Sequence, residues 1–320
     1  MRPQSVLQLL QSVQEQTLYP DEILIIDGST NHETEIILKE IPLHHLHYFA
    51  VPPEHRGLTK QRNYGVKKAG SAMEVIAFLD DDTVLSTNYF EEIMKTFENN
   101  PDVSGVGGVA VNENSWDLAE SNKRYNKNHY YQWEGYVYKE GQRNVVRNYL
   151  GLHSHLDPGR MPDFSHGKTC GFPLNGKTYE VDVLIGMSFA FRKKVLDSIS
   201  FSSYFEGYGL YEDADFSIRA THFGKNVINT KAQLNHFHHP SGRPNQFRYG
   251  KMVVRNGWYV WRVKNPKPSL NAIIKWHSIT ILLTLIRFTN IFTSTKKKEA
   301  FTEAIGRTIG WWSLWWNKPI

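Results

Sequence analysis

The stretch Val75-Ile76-Ala77-Phe78-Leu79-Asp80-Asp81-Asp82 joins a short, unbroken apolar run to three consecutive acids. An uninterrupted apolar run of this length is typical of a strand buried on both faces of a parallel sheet. The acids then follow the carboxyl end of that strand, where ligands bind in open α/β sheets. Because crowded carboxylates repel one another unless a cation neutralises them, the triplet predicts a divalent metal site. The alternative is a solvated acidic turn in front of the next helix.

Predicted helices and strands alternate around this stretch. Apolar periodicity and breakers predict a helix at 5–16, strands at 22–26 and 44–51, and helices at 58–69 and 88–99. Such alternation is that of βαβ units, which wind helices over a mostly parallel sheet. The predicted fold class is therefore α/β, with its loops forming a ligand crevice at one edge of the sheet.

A second acidic centre, Glu212-Asp213-Ala214-Asp215, follows the turn Gly207-Tyr208-Gly209. Two acidic centres so far apart in the chain predict one site that holds both a metal and a base. The plain interpretation is the start of a helix, with acids favourable to its dipole and an i, i+4 pair between Asp215 and Arg219. Both interpretations can hold together.

Composition sets limits on the function. The chain has 320 residues, a net charge of +5 and one cysteine, Cys170. A single cysteine excludes an internal disulfide framework and a cysteine-rich zinc site, and it suits a reducing compartment. The positive charge fits anionic partners such as nucleotide diphosphates or phospholipid headgroups. Nucleic acid is not expected, because the basic residues form no stripe. No signal peptide is recognised at Met1.

Residues 112–179 lack a clear period and are rich in aromatic side chains. Two interpretations stay open there: a surface region packed by its own aromatics, and a stacking surface for sugar rings.

The last segment, 266–320, differs in composition from the residues before it. Its run 270–292 is apolar almost all round a helix but is interrupted by Lys275, His277 and Arg287. An arginine near mid-span argues against a simple transmembrane helix, and the all-round pattern argues against a clean surface-lying one. Lysines 296–298 and four nearby tryptophans are nevertheless what an interface anchor uses, so we expect contact with a membrane surface. The alternative is a buried helical hairpin with snorkelling lysines.

Taken together, several segments resemble the family 2 glycosyltransferases, inverting enzymes of the GT-A fold that move a sugar from a nucleotide diphosphate to an acceptor hydroxyl. The resemblance covers roughly residues 2–243 and is carried by motif order. The segments that carry it are 25–30, 56–58 with 62–65, the acidic triplet as a DxD motif, 186–192, 205–219 with an ED motif, and 232–239.

The resemblance implies a role for each matching residue. Asp213 becomes the catalytic base, with Glu212 as the alternative. The nucleotide sugar would contact Asp27, Gly28, Ser29, Arg62, Asp80, Asp81 and Gly186, and Mg²⁺ or Mn²⁺ would be held by Asp82, Asp80, His236 and His238. Within this set Asp82 is the direct ligand with Asp80 close to it, and His236 fits better in register than His238.

The resemblance also implies partners and an organisation. The donor would be a UDP-sugar, with a dTDP-sugar as the alternative, and the acceptor a saccharide or lipid-linked molecule of cell-surface polysaccharide or glycolipid assembly. The expected regions are a nucleotide-sugar-binding α/β half at 1–110, an acceptor-binding and catalytic half at 111–265, and a helical, membrane-associating segment at 266–320. The expected location is cytoplasmic, on the inner face of the plasma membrane.

One departure concerns the start of the chain. The family opens with a buried strand followed by Pro-Thr-Tyr-Asn-Arg-Pro, whereas this sequence begins Met1-Arg2-Pro3. We expect that the first strand is missing and that the true reading frame begins earlier, which mass spectrometry of the native protein would test. Two other functions follow as alternatives: a nucleotide-sugar-binding scaffold impaired by the lost strand, and a metal-dependent phosphohydrolase.

Overall fold

The computed structural model describes residues 2–41, 43–238 and 244–319. Two units are formed, the first by residues 1–114 with 174–241 and the second by residues 115–173 with 242–320. The grouping follows contacts in space, so each unit combines two separate stretches of the chain. The predicted functional division into residues 1–110, 111–265 and 266–320 stays a prediction. The expected start of the reading frame before Met1 lies outside the described residues.

The first unit contains most of the predicted alternation. Its elements are α1 (Pro3–Gln14), β1 (Ile23–Asp27), α2 (Glu33–Lys39), β2 (Leu46–Ala50), α3 (Leu58–Lys68), β3 (Val75–Leu79), β4 (Thr83–Leu85), α4 (Tyr89–Asn99), β5 (Val103–Ala110), β9 (Thr178–Val181), β10 (Ser188–Arg192), α6 (Lys193–Ser198), α7 (Glu212–Ala220) and β11 (Lys225–His236). The helices and strands predicted from periodicity are confirmed to within a few residues, because local patterning fixes them.

The expectation of a mostly parallel sheet is wrong. β1 and β2 pair in parallel as a separate two-stranded sheet. In the larger sheet, of order β3-β10-β5-β11-β4, β5 and β11 are the only neighbouring strands among the described residues that pair in parallel, and β9 also pairs antiparallel with β11. The reason is that β10 inserts between β3 and β5 and runs opposite to both.

The expected burial of β3 on both faces is also wrong. Among the described residues β3 pairs only with β10, and its side chains are half-buried, with Ala77 exposed. An edge strand has one neighbour, so its apolar run is covered less than that of a central strand. The apolar centre of this unit lies instead around α4 and β5, where Tyr89, Ile93 and Val106 are fully buried.

The second unit contains a small sheet and three long helices. Its elements are β6 (Trp116–Leu118), β7 (Tyr130–Trp133), β8 (Tyr136–Lys139), α5 (Gln142–Tyr149), α8 (Gln246–Lys264), α9 (Leu270–Thr293) and α10 (Lys297–Ser313). The backbones of α8 and α10 touch. A Cβ on Gly306 would lie 2.1 Å from the Phe247 carbonyl oxygen, and one on Gly250 would lie 2.2 Å from that of Glu303. Glycine at both positions is therefore what allows the close approach.

The aromatic residues of the small sheet pack against one another. The buried Trp116 ring has Tyr131, Trp133 and Tyr138 around it at centroid distances of 5.8, 6.1 and 5.5 Å. This geometry favours the interpretation of a region packed by its own aromatics over that of an open stacking surface.

Candidate functional site: an acidic centre at the end of β3

The acidic triplet forms the turn between β3 and β4. The Asp80 backbone N–H donates to the Met187 carbonyl at 2.9 Å, and the Thr83 N–H donates back to the Asp80 carbonyl at 3.2 Å, which closes the turn. Arg2 pairs with two of the acids, contacting Asp81 closely and reaching Asp82 Oδ2 from Nη1 at 2.9 Å. The turn thus concentrates negative charge, which the Arg2 guanidinium partly neutralises.

His236 comes to the triplet through strand pairing. It ends β11, which is antiparallel to β4 and sets His236 opposite Thr83. Its Nε2 lies 3.5 Å from Asp82 Oδ1, and one ligand atom each from Asp80, Asp82 and His236 lies within 4.8 Å of the others. The sheet register therefore brings together three of the four side chains expected to hold a metal.

Sequence reasoning missed Glu113, which follows β5. Its Oε1 lies 2.7 Å from His236 Nδ1 and 2.8 Å from His238 Nε2. A bond at Nδ1 fixes the tautomer of the His236 ring and turns Nε2 towards Asp82. His238 thus belongs to a second group, with Glu113 and His236. No local motif marks Glu113, and its place after a central strand is the one signal that could have drawn attention to it. His239 lies outside the described residues.

The donor set fits Mn²⁺ better than Mg²⁺. Two carboxylates and an imidazole suit Mn²⁺, whereas Mg²⁺ prefers oxygen ligands and retained water. Burial raises the pKa of Asp80 to about 6, and the charges of Asp82 and Asp81 add to the rise while Arg62 and His236 oppose it. A bound cation would relieve this repulsion.

Arg62 connects the triplet to the second acidic centre. Its guanidinium is buried against Phe189 at 4.8 Å from the ring centroid and forms an ion pair with Glu212. Its Nη2 lies 3.6 Å from Asp80 Oδ1. The two acidic centres, predicted to share one site, therefore share one arginine.

Glu212 and Asp213 are neighbours in sequence but differ in environment. Burial raises the pKa of Glu212 to about 8, although Arg62 opposes the rise, and Oε2 of Glu212 is buried without a hydrogen-bond partner among the described residues. Asp213 is half-buried, and its Oδ2 accepts the Gly186 backbone N–H at 2.9 Å while Oδ1 accepts that of Ala214 at 2.8 Å. Glu212 is thus enclosed by protein, whereas Asp213 is the more accessible of the two.

The Gly186 backbone is hydrogen-bonded to Asp213 and to Arg62, and it leaves little room beside Glu212. Its carbonyl accepts from Arg62 Nη2 at 3.0 Å, and a Cβ there would lie 3.1 Å from Glu212 Oε1 and 3.2 Å from Asp213 Cβ. A larger residue would have to displace one of these side chains, which explains the small residue at this position.

Asp27, Gly28 and Ser29 lie at the carboxyl end of β1. Asp27 is buried and accepts from the Ser29 N–H at 2.8 Å and from the Tyr48 hydroxyl at 3.0 Å. A Cβ on Gly28 would collide with Gln61, whose amide donates to the Ile26 carbonyl at 2.9 Å. Because Gln61 precedes Arg62 on α3, one helix connects this turn to the acidic centre.

Residues 1–166 match the sequence pattern of Glycosyl transferase family 2. This is just over half of the chain. It belongs to glycosyl transferase family 2. The match includes the turn after β1, Arg62 and the acidic triplet, while Gly186, the Glu212-Asp213 pair and His236 lie beyond it.

Two curated relatives share part of the family 2 chain. The chain is 28% identical over 116 positions to the glucosyl-dolichyl phosphate glucuronosyltransferase of Haloferax volcanii (strain DS2). The match covers 34% of each protein. EpsH of Bacillus subtilis (strain 168), which carries a provisional glycosyltransferase name, is 24% identical over 235 positions, 71% of this chain and 55% of EpsH. The matches thus span about a third and just over half of these relatives.

Solved structures share the architecture. GalNAc-T7 with UDP, GalNAc and Mn²⁺ superposes with a TM-score of 0.53 at 16% identity, over 81% of this chain and 46% of that one. The Pyrobaculum calidifontis mannosyltransferase PcManGT with GDP-Man and Mn²⁺ also gives 0.53, at 12% identity over 99% and 85%. Likeness at these identities shows the fold alone, and it confirms the expected GT-A architecture as a mixed α/β fold.

Proposed function

We propose that this family 2 protein transfers a sugar from a nucleoside diphosphate sugar to an acceptor hydroxyl, with inversion at the anomeric carbon. The observation that carries the proposal is the arrangement of Asp80, Asp82 and His236 beside Arg62, with Asp213 held on the Gly186 peptide. One group gathers the ligands of a divalent cation and the other presents a carboxylate that can take a proton. Direct displacement needs both.

The residues divide the work as follows. Asp82, Asp80 and His236 would hold Mn²⁺, which supplies Lewis-acid stabilisation of the departing diphosphate when bound. Asp213 would accept the proton of the acceptor hydroxyl as it attacks. Arg62 adds a fixed positive charge beside Asp80, and the turn at Asp27, Gly28 and Ser29 would receive the base of the nucleotide. Glu212 would hold Arg62 in place, and Asp81 would lie towards the ribose.

Relatives support the substrate classes. UDP and GDP-Man occupy two solved structures of this architecture, both with Mn²⁺, and one curated relative is named for a dolichyl phosphate acceptor. We propose a UDP-sugar donor and a saccharide or lipid-linked acceptor in cell-surface polysaccharide or glycolipid assembly. We also propose a cytoplasmic location at the inner face of the plasma membrane. A lipid-linked acceptor would lie at a membrane, and the free, buried Cys170 fits a reducing compartment.

A donor screen tests this proposal. Purified protein is heated with UDP-, dTDP- and GDP-sugars, each with and without Mn²⁺, and the melting temperature is recorded. A donor that binds the folded state raises the midpoint, and we expect one nucleotide class to do so only with Mn²⁺. Release of nucleoside diphosphate in the presence of that donor then distinguishes transfer from the binding of a scaffold. No stabilisation by any sugar nucleotide would overturn the proposal.

A further inference from the structure

Helix α9 exposes an apolar stripe. Its exposed large apolar residues are Leu270, Ile274, Ile281, Leu285 and Phe292. They are separated by four, seven, four and seven positions, so at about 100° per residue they fall within about 60° around the helix. The opposite side, with Ala272, Trp276 and Ile279, is buried in the core of the second unit. One side of the helix is therefore apolar because it packs in the core and the other is apolar although it is exposed, which explains why the sequence of α9 shows no amphipathic pattern.

Helix α10 and the residues after it continue the exposed apolar surface. Phe301, Ile309, Trp312, Trp315 and Trp316 are all exposed, Trp316 by 72%. The Trp315 ring stacks over His277 of α9 at a centroid distance of 6.4 Å and an angle of 16°. His277 lies one turn from Ile274 and Ile281, so the tryptophans border the α9 stripe. We call these ten exposed residues, from α9, α10 and the residues that follow α10, the apolar face.

The segment that bears the apolar face is strongly basic. Residues 244–319 contain thirteen Lys and Arg residues and only two acids, Glu299 and Glu303. Glu303 is buried and paired with Arg287 and Arg307 at 2.8 Å, and Glu299 lies 3.7 Å from Lys296. Lysines 296–298 are exposed at the start of α10. Two copies of such a surface would repel each other, whereas an anionic surface would be attracted.

We propose that the apolar face lies in the interfacial layer of an anionic phospholipid bilayer, with α9 parallel to the membrane plane. Exposed apolar side chains would enter the boundary of the acyl chains, tryptophans the headgroup layer, and the lysines would meet lipid phosphates. Among the described residues α9 is the one helix long and apolar enough to cross a membrane. Spanning would nevertheless strip Trp276 and Ile279 from the core and carry the Arg287–Glu303 pair into hydrocarbon, at a cost that lying flat avoids.

Vesicle sedimentation tests the proposal without turnover, so its outcome is independent of the proposed transfer reaction. Full-length protein is spun with vesicles of phosphatidylcholine alone and with vesicles containing phosphatidylglycerol, at several salt concentrations. We expect binding to the anionic vesicles that weakens as salt rises. Changing lysines 296–298 to Gln should lower the partition coefficient by tenfold to a hundredfold, since each lysine near an anionic surface contributes about fivefold.

The matched variants separate lipid binding from folding. Changing Trp312, Trp315 and Trp316 to Ala should lower binding at least tenfold, whereas Leu118→Ser, at a residue 71% exposed on β6, should leave it unchanged. Circular dichroism checks the fold. Brominated phosphatidylcholine, added to the anionic vesicles, should quench part of the wild-type tryptophan fluorescence. The proposal is overturned if wild-type protein stays in the supernatant, if bromine quenches nothing, or if light scattering without lipid shows a dimer that the tryptophan changes dissociate.

Discussion

Arg62 of α3 and Glu212 of α7 form a buried ion pair although 150 residues separate them in the chain. The pair lies between the acidic triplet and Asp213, because the same guanidinium approaches Asp80 and the Gly186 carbonyl. The carboxylate of Glu212 therefore has a structural role in this ion pair. The pair therefore favours Asp213 over Glu212 as the base, a choice that the sequence left open.

Removing Arg62 should destabilise the fold. Arg62→Met leaves Glu212 buried without its cation, and breaking a buried pair costs about 3–5 kcal/mol. Adding Glu212→Gln should restore much of that loss in a double-mutant cycle measured by urea unfolding. Lys60→Met, at a more exposed ion pair on the same helix, is the control and should cost less than about 1 kcal/mol.

The same variant should respond to pH. Burial already raises the pKa of Glu212 to about 8, and without Arg62 it rises further. A folded-state pKa above the unfolded value means that stability is present at low pH and is lost as pH rises through the folded pKa. Arg62→Met should therefore melt at a higher temperature at pH 5 than at pH 8. The reverse order would contradict the burial of Glu212.

Asp213→Asn should lower transfer strongly while donor binding is retained. The asparagine oxygen can still accept the Gly186 N–H, but it cannot take a proton, and loss of a general base costs about 10²–10⁴-fold in rate. Turnover and calorimetric donor binding are measured side by side. Asp197→Asn, at an exposed acid paired with Lys193, is the control. Full transfer by the Asp213 variant would remove it from the base role.

Glu113→Gln should weaken Mn²⁺ binding. Glu113 orients His236 through Nδ1, and loss of such an outer partner costs about 10–100-fold in metal affinity. Free Mn²⁺ is measured by electron paramagnetic resonance during a titration, which needs no substrate. Glu120→Gln changes an exposed acid elsewhere and should bind as wild type. Equal affinity in the Glu113 variant would show that His236 needs no orientation.

Gly186→Ala should lower transfer more than stability. The added methyl would meet Glu212, Asp213 and Arg62 at 3.1–3.3 Å, so the peptide that holds Asp213 must shift. A displacement of this kind disturbs the proton acceptor and costs roughly 10²-fold in rate. Gly171→Ala, where a Cβ has open space, is the control. Equal turnover in both variants would show that the site accommodates a side chain at residue 186.

Cys170 should be unreactive in the folded protein. Burial raises the pKa of its thiol to about 12, so little thiolate forms at pH 8. We expect slow reaction with a disulfide reagent in buffer and fast reaction in urea. Since the unfolded thiol ionises first, stability should fall as pH rises above about 9, and Cys170→Ala should remove that loss. Fast labelling without urea would contradict its burial.

Local patterning predicted much of the fold. The helices α3 and α4, the turn at the acidic triplet and the Asp215–Arg219 pair at 3.0 Å are all where the sequence placed them. Each depends on residues within a few positions of one another, so the chain carries the information locally.

What only the tertiary structure decided is which distant residues meet. The antiparallel insertion of β10, the ion pair of Arg62 with Glu212 and the bond from Glu113 to His236 all join residues far apart in the chain. The same holds for α9, whose apolar residues divide into a buried and an exposed side only once its neighbours are in place. Sequence periodicity shows which positions are apolar, but packing decides which of these side chains are buried, because burial depends on the whole fold.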